Sequence, residues 1–224
     1  MCNASSVIFG AVNLSEKEIF SKRVLEIGSC DVNGSLRKLL ERWKPAEYIG
    51  IDIERGPGVD QVCSVDRAVE RFGARSFDAV VSTEMIEHVA DWRKAVSNIK
   101  NLCAPGGVIL LTTRSAGFAY HAYPHDFWRF EAEDMRAIFS DCIIEKIEAD
   151  AQEPGVFVKA VKPADFREKD LSGYELYSII ECRRVREIDE EKMAAFRKRY
   201  EFSLKLSNAL SRLKDLVFSR FLRP

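Results

Sequence analysis

Arg23-Val24-Leu25-Glu26-Ile27-Gly28-Ser29-Cys30-Asp31-Val32-Asn33-Gly34-Ser35-Leu36, followed by Tyr48-Ile49-Gly50-Ile51-Asp52-Ile53, decides the fold class of this 224-residue chain. The first run is an apolar strand that enters a loop of small residues and then a helix. The second is another strand, ending in an acid. That order is the layout of a nucleoside-cofactor site on a Rossmann-like sheet. The loop makes a tight backbone turn beneath the ligand, and the acid reaches the ribose hydroxyls.

The same alternation continues outward from this stretch. Apolar strands are expected at 24–27, 48–53, 77–82 and 108–113, with a short one near 59–63 after the Gly56-Pro57-Gly58 turn. Helical spacing appears at 35–43 (Leu36, Leu39, Leu40, Trp43), where it stops before Pro45. It recurs at 66–72, 92–102 and 131–139, and Ala104-Pro105-Gly106-Gly107 closes the helix at 92–102. Segment 108–113 is almost wholly apolar or β-branched, as a central strand buried on both faces requires. Strands at 143–148 and 156–161 are joined only by the Glu153-Pro154-Gly155 turn, so they pair antiparallel. The expected fold is α/β: a doubly wound, mostly parallel seven-stranded sheet with an antiparallel last strand. Residues 1–22 form an N-terminal helical segment, with a short helix at 13–22 capped by Asn13 or Ser15. The sheet domain spans 23–162. A boundary at Lys162-Pro163 leads to a helical extension over 163–224, with helices at 173–187 and 190–222 and no strand.

Composition narrows the functional class. With 46% hydrophobic and 31% charged residues the chain is that of a soluble globular protein, and its formal charge of −1 argues against nucleic acid as a partner. The charge is uneven. Residues 192–224 carry nine Lys/Arg against Glu201 and Asp215, a net +7, which leaves −8 on the first 191 residues. Six cysteines are scattered without a C-x-x-C pair, as in a cytoplasmic protein with reduced thiols. No apolar run approaches the roughly 20 residues of a membrane span, and no signal peptide is expected. No metal-ligand spacing is evident.

Four segments, in order, carry a resemblance: Val-Leu-Glu-Ile-Gly-Ser (24–29), Ile-Gly-Ile-Asp-Ile (49–53), Phe-Asp-Ala-Val-Val-Ser-Thr-Glu-Met-Ile-Glu-His-Val (77–89) and Ala-Pro-Gly-Gly-Val-Ile-Leu-Leu-Thr-Thr (104–113). With them the chain resembles the class I S-adenosylmethionine-dependent methyltransferases, type 11-like, over about residues 23–162. The resemblance implies S-adenosyl-L-methionine as cofactor and S-adenosyl-L-homocysteine as product. It places Glu26 near the cationic methionine part, and Gly28, Ser29 and Cys30 beneath the ligand. Asp52 then takes the ribose and Ile53 lies beside the adenine. Ser64 and Val65 cover the adenine edge, and Ser82 and Thr83 line the methyl-donor pocket. Relatives commonly carry an acid where Ser64 stands; serine accepts a hydrogen bond more weakly, and Asp66 can take over. The loop departs from the usual E-x-G-x-G-x-G: Cys30 and Val32 replace two glycines, and Asp31-Val32-Asn33-Gly34 is itself a turn signal.

The most distinctive segment is Tyr120-His121-Ala122-Tyr123-Pro124-His125-Asp126-Phe127-Trp128-Arg129-Phe130, at the carboxyl edge of the sheet, where open α/β folds bind ligands. A Pro-x-Asp-Phe-Trp-Arg-Phe segment like it occurs in a subset of these methyltransferases, several tied to glycan modification. A hydroxyl acceptor must lose a proton, a task that suits histidine. His125, oriented by Asp126, is the first choice of base and His121 the second. Tyr123, Trp128, Arg129 and His88 are assigned to the substrate. A plainer reading stands beside this one: Phe127, Trp128 and Phe130 pack over the sheet, Arg129 pairs with an acid, and His88 packs or hydrogen-bonds.

The expected activity is methyl transfer to oxygen on a small-molecule, glycan or lipid-linked acceptor. The alternative is a non-catalytic cofactor- or partner-binding module. A nicotinamide dehydrogenase would need G-x-G-x-x-G, and from Gly28 the chain supplies Gly-Ser-Cys-Asp-Val-Asn. In the tail, Leu206, Leu210, Leu213, Val217 and Phe221 recur at helical spacing among basic residues. That leaves two readings for 192–224: an amphipathic helix on an anionic membrane surface, which would place the protein at the membrane periphery, or a helix packed on its own domain or across a homodimer.

Overall fold

The computed structural model describes residues 3–121 and 124–221, with the side chains of 208 and 211–221 left out of the description. Helix α1 (Ala4–Asn13) is capped by Asn3, whose side-chain oxygen accepts from Ser6 N–H at 2.8 Å. Helix α2 (Glu16–Ile19) begins at the expected cap Ser15, paired with Glu18 in a capping box. Then follow β1 (Arg23–Ile27), α3 (Arg37–Arg42), β2 (Glu47–Asp52), β3 (Gln61–Val62), α4 (Val65–Phe72), β4 (Phe77–Thr83), a single 3₁₀ turn (Ile86–His88), α5 (Trp92–Leu102) and β5 (Cys103–Arg114). The rest of this unit is β6 (Trp128–Arg129), α6 (Ala132–Ile138), β7 (Ile143–Ala149), β8 (Gly155–Val161), β9 (Leu176–Ser178) and β10 (Arg183–Val185).

The main sheet has seven strands in the order β3-β2-β1-β4-β5-β8-β7. β1 pairs in parallel with β2 and β4, and β4 with β5; β8 runs antiparallel between β5 and β7. The chain reverses its strand order at β1, so the loops after β1 and β4 open a crevice at the carboxyl edge. Val24, Leu36, Leu40, Ala79, Val81, Leu110 and Phe157 pack with α1 and α2 residues Phe9 and Ile19 on one face. Each of the larger of these side chains contributes roughly 1.5–3 kcal/mol on burial.

Residues 173–187 do not form the helix their composition implies. β9 and β10 form a hairpin, and with β6 they make a second, three-stranded antiparallel sheet. Three-residue strands are too short to show a period of two, and the turn between them holds Cys182 at φ +53°. The compact unit accordingly runs to Arg186, past the boundary expected at Lys162-Pro163. A second unit begins at Glu187 and holds α7 (Glu190–Phe221), on which Phe202, Leu204, Leu206 and Leu210 are exposed. The side chains of Leu213, Val217 and Phe221 lie outside the described residues. No described helix is long and apolar enough to cross a membrane.

Candidate functional site

A cavity of about 310 Å³ occupies the crevice. Its first half is built by strand ends. Gly28, Cys30 and Val32 from the loop after β1, Asp52 and Ile53 from the tip of β2, and Ser64, Val65 and Asp66 from the start of α4 line it. The Asp52 carboxylate accepts from Cys30 N–H at 3.1 Å and Ile53 N–H at 2.7 Å, which ties the two loops together and aims the acid across their mouth. Asp31 organises the glycine-poor loop by accepting from Gly34 N–H at 3.0 Å, with its own N–H on Pro57 O at 2.8 Å. Gly28 has φ +77°, and a Cβ there would lie 2.7 Å from Met85 Cβ. That glycine is therefore needed for close packing against the β4 loop as well as for the turn.

Ser64 is committed locally. It is the N-cap of α4 and accepts from Asp66 N–H at 3.2 Å. Asp66 Oδ1 is buried with no hydrogen-bond partner at the same wall, so Asp66 holds the acceptor atom that the sequence had assigned first to Ser64.

Four residues expected to hold the cofactor do not line this cavity. Glu26 is 2% exposed, and its carboxylate accepts from Tyr48 Oη at 2.8 Å and Ser35 Oγ at 3.1 Å. Burial pushes its pKa up to about 7, against the pull of those two hydroxyls. It braces β1 to β2 and to the start of α3. Ser29 is buried beside Gly50. Ser82 donates to Ile27 O at 2.9 Å inside the sheet, and Thr83 is buried with it. β4 is covered on both faces, so lining groups appear only past its end, from Glu84 and Met85 onward.

The second half is lined by Met85, His88, Val89, Ala90, Pro124, His125 and Phe127. Glu84 takes φ +53° at the end of β4, a conformation that costs a non-glycine residue and that recurs at functional sites. Its carboxylate accepts from Ser6 Oγ at 3.1 Å and pairs with Arg114 Nε. Burial, and Glu87 nearby, raise its pKa. Glu87 is fully buried on the 3₁₀ turn and accepts from Thr113 Oγ1 at 2.8 Å. Burial opposes its ionisation, but His121 and His88 beside it hold its pKa down.

Asp126 turns away from His125. Its carboxylate is buried and bidentate to Arg129 at 2.6 and 2.7 Å, and lies 2.9 Å from His121 Nδ1. The acid thus orients His121, contrary to the expected pairing, and His121 N–H also donates to it at 2.9 Å. Burial lowers the His121 pKa, but Asp126 and Glu87 more than offset that and lift it to about 9. Trp128 and Arg129 are 1% exposed. The indole donates to Val89 O at 3.0 Å, and the guanidinium also donates to Trp128 O at 2.7 Å and Ala119 O at 3.1 Å. Both are interior supports, so their assignment to substrate is replaced by the packing reading. His88 contributes to the wall, with Nδ1 2.5 Å from His125 O. Tyr123 lies outside the described residues.

A model of the methyltransferase-domain family matches residues 8–143, more than half of the chain. The chain belongs to that family. This methyltransferase domain is 31% identical over 70 residues to the ubiquinone biosynthesis O-methyltransferase of Parvibaculum lavamentivorans, covering 31% of this chain and 27% of that protein. It is 31% identical over 122 residues to the chloroplastic tocopherol O-methyltransferase of Arabidopsis thaliana, covering 48% and 34%. It thus spans about a third or less of the length of these curated relatives. Among solved structures, phosphoethanolamine N-methyltransferase 2 of Haemonchus contortus in complex with S-adenosyl-L-methionine shares its fold at TM-score 0.54 and 18% identity, covering 71% of this chain and 52% of that one. Glu84 and Glu87 are buried acids of this region that carry no role in the sequence reading. Their signal in the sequence is two carboxylates three residues apart directly after the apolar strand 77–82.

Proposed function

We propose that this methyltransferase domain transfers a methyl group from S-adenosyl-L-methionine to a hydroxyl oxygen of a small acceptor with an apolar body. The observation that carries this reading is one continuous cavity with two unlike walls. The residues at its first wall fit the cofactor. Asp52 has lone pairs left for ribose hydroxyls, and Ile53 and Val65 offer apolar surface to a purine. Asp66 Oδ1, buried without a partner, supplies an acceptor for an exocyclic amine. When bound, S-adenosylmethionine supplies a methyl group already activated by its sulfonium, so the protein's work is chiefly alignment.

The second wall is apolar at Met85, Val89, Ala90, Pro124 and Phe127, which favours an apolar acceptor body over a glycan. Both curated relatives are named as O-methyltransferases, in support of oxygen as the acceptor atom. His125 lines this wall, and we assign it to take the hydroxyl proton. A non-catalytic module would have no use for imidazoles placed there.

Calorimetry with S-adenosylmethionine, S-adenosylhomocysteine and NAD tests the first wall: both sulfur nucleosides bind and NAD does not, and failure of both to bind rejects the reading. Transfer of labelled methyl to a panel of apolar alcohols and phenols, free sugars and amines tests the second. Label confined to sugars or amines overturns the acceptor class. His125→Ala leaves cofactor affinity intact and abolishes transfer.

A further inference from the structure

Glu87, His88 and His121 converge on one point beside the cavity. Glu87 Oε1 lies 3.8 Å from His88 Nε2 and 3.8 Å from His121 Nε2, and all three atoms lie within 4.8 Å of one another. At 3.8 Å none of these is a hydrogen bond. Glu87 Oε1 and His88 Nε2 are buried and have no partner. Among the described residues, these three strong donor atoms face one another with no hydrogen bond between them.

Each ligand is also held from behind. His88 Nδ1 meets the carbonyl of His125 at 2.5 Å, and His121 Nδ1 meets Asp126 Oδ2 at 2.9 Å. A carbonyl only accepts, so His88 Nδ1 carries the proton and its Nε2 turns a lone pair inward. His121 turns Nε2 toward Glu87 and would ligate as the neutral ring, releasing a proton as the metal binds. Thr113 Oγ1 donates to Glu87 Oε2 at 2.8 Å, which leaves Oε1 free for the gap. A backbone carbonyl or carboxylate behind each histidine, and a hydrogen bond behind the carboxylate, is the support that metal-ligating side chains receive.

We propose that Glu87, His88 and His121 form a binding site for a divalent transition metal of the zinc class. The point equidistant from the three atoms lies about 2.5 Å or less from each, so ligands need close by only a few tenths of an ångström to reach the roughly 2.0–2.2 Å of zinc. Two imidazoles and one carboxylate suit zinc and its neighbours in the first transition row better than magnesium or calcium, which prefer oxygen ligands. Three protein ligands leave a coordination position open, as in catalytic rather than structural zinc sites. His88 also forms part of the cavity wall, so that position adjoins the acceptor half. A role for it in holding the acceptor oxygen rests on the O-methyltransferase reading; the metal site itself does not.

The test is a zinc titration of the full chain against a chromogenic chelator, with calorimetry of S-adenosylmethionine on the same samples with and without EDTA. One zinc per chain is expected to bind, at least 100-fold more weakly in His121→Ala. His121 sits in a loop and is partly exposed, and matching thermal midpoints of the metal-free proteins confirm that the variant folds. Thr113→Val, which removes only the hydroxyl behind Glu87, weakens zinc about tenfold. Wild type that binds zinc no better than His121→Ala overturns the site. If S-adenosylmethionine still binds in that case, the methyltransferase reading survives it. Zinc binding without S-adenosylmethionine binding upholds the site and rejects that reading instead.

Discussion

The two halves of the cavity solve different problems with different materials. The half proposed for the cofactor is made of strand ends: backbone N–H groups on Asp52, a glycine at positive φ, and one unpaired carboxylate oxygen on Asp66. Asp52 and Asp66 line the cavity, while Glu26 is buried behind it against hydroxyl partners. The half proposed for the acceptor is made of loop and 3₁₀ turn, and is held by buried ions: Asp126 with Arg129 and His121, Glu84 with Arg114, Glu87 with Thr113. Regular secondary structure places a binding group without ionic help. The described residues between β5 and β6 have no ladder to define them, and buried charge pairs supply the geometry. Mutations in the first half should therefore show up in affinity, and those in the second in stability.

Arg129→Ala is the most severe test. The guanidinium is 1% exposed and carries both oxygens of Asp126 plus the carbonyls of Ala119 and Trp128. Its removal leaves a buried carboxylate with His121 as its remaining charged partner, and breaking a buried pair from one side costs about 3–5 kcal/mol. Urea unfolding should show that loss. A change under about 1 kcal/mol would mean that the segment is not held by its ions, and the contrast between the halves would fall.

Asp52→Ala should do the reverse. The acid sits at a strand tip with its ribose-facing capacity in the cavity, and a hydrogen bond to a charged group is worth about 1.5–3 kcal/mol. S-adenosylmethionine affinity should drop roughly 10- to 100-fold by calorimetry, with the unfolding midpoint nearly unchanged. Unaltered affinity would remove Asp52 from the site.

The same contrast separates what could be read from sequence. Gly28, Cys30, Asp52, Ile53, Ser64 and Val65 line the cavity as expected, because a residue at a strand end inherits its position from the strand's period. Ser29, Ser82 and Thr83 follow the same strands but point into the sheet, and only packing on both faces of β1 and β4 decides that. In the acceptor half the residue types were legible and their partners were not. Asp126 is next to His125 in sequence, yet its carboxylate reaches His121 five residues back and Arg129 three ahead. The β9–β10 hairpin escaped for a related reason. Its inner strand β9 pairs with Trp128–Arg129, a contact across some fifty residues with no local signature.

Glu26 gives a test of intermediate size at the root of the cofactor half. Its folded pKa is raised to about 7 by burial, with Tyr48, Ser35 and Arg37 opposing and Asp31 adding to the rise, against an ordinary 4.5. The folded chain then keeps a proton that the unfolded chain has released. The stability contribution is complete below about pH 4.5 and is lost as pH rises through 7, by up to about 1.4 kcal/mol per pH unit. Glu26→Gln, neutral at every pH and able to accept from Tyr48, removes that slope. Urea unfolding of both proteins from pH 5 to 8 should show the wild type losing ground to the variant up to pH 7 and no further. A constant difference across the range would show that Glu26 is ionised throughout.

The smallest effect divides two neighbours. Ser64 caps α4 while Asp66 presents the unpartnered oxygen, so structure and binding are split between residues two apart. Ser64→Ala should cost about 1 kcal/mol of stability, as lost N-caps do, and leave S-adenosylmethionine affinity within about twofold. Asp66→Asn keeps the size of the side chain and removes its charge. It should weaken S-adenosylmethionine by about tenfold, the worth of one hydrogen bond to a charged acceptor, with little change in stability. The pair is read most cleanly with S-adenosylhomocysteine, which presents the same adenine without the sulfonium. A loss seen equally with both nucleosides places Asp66 at the base. A loss confined to the sulfonium ligand would mean that its charge acts at long range, and Ser64 would again be the residue at the adenine edge.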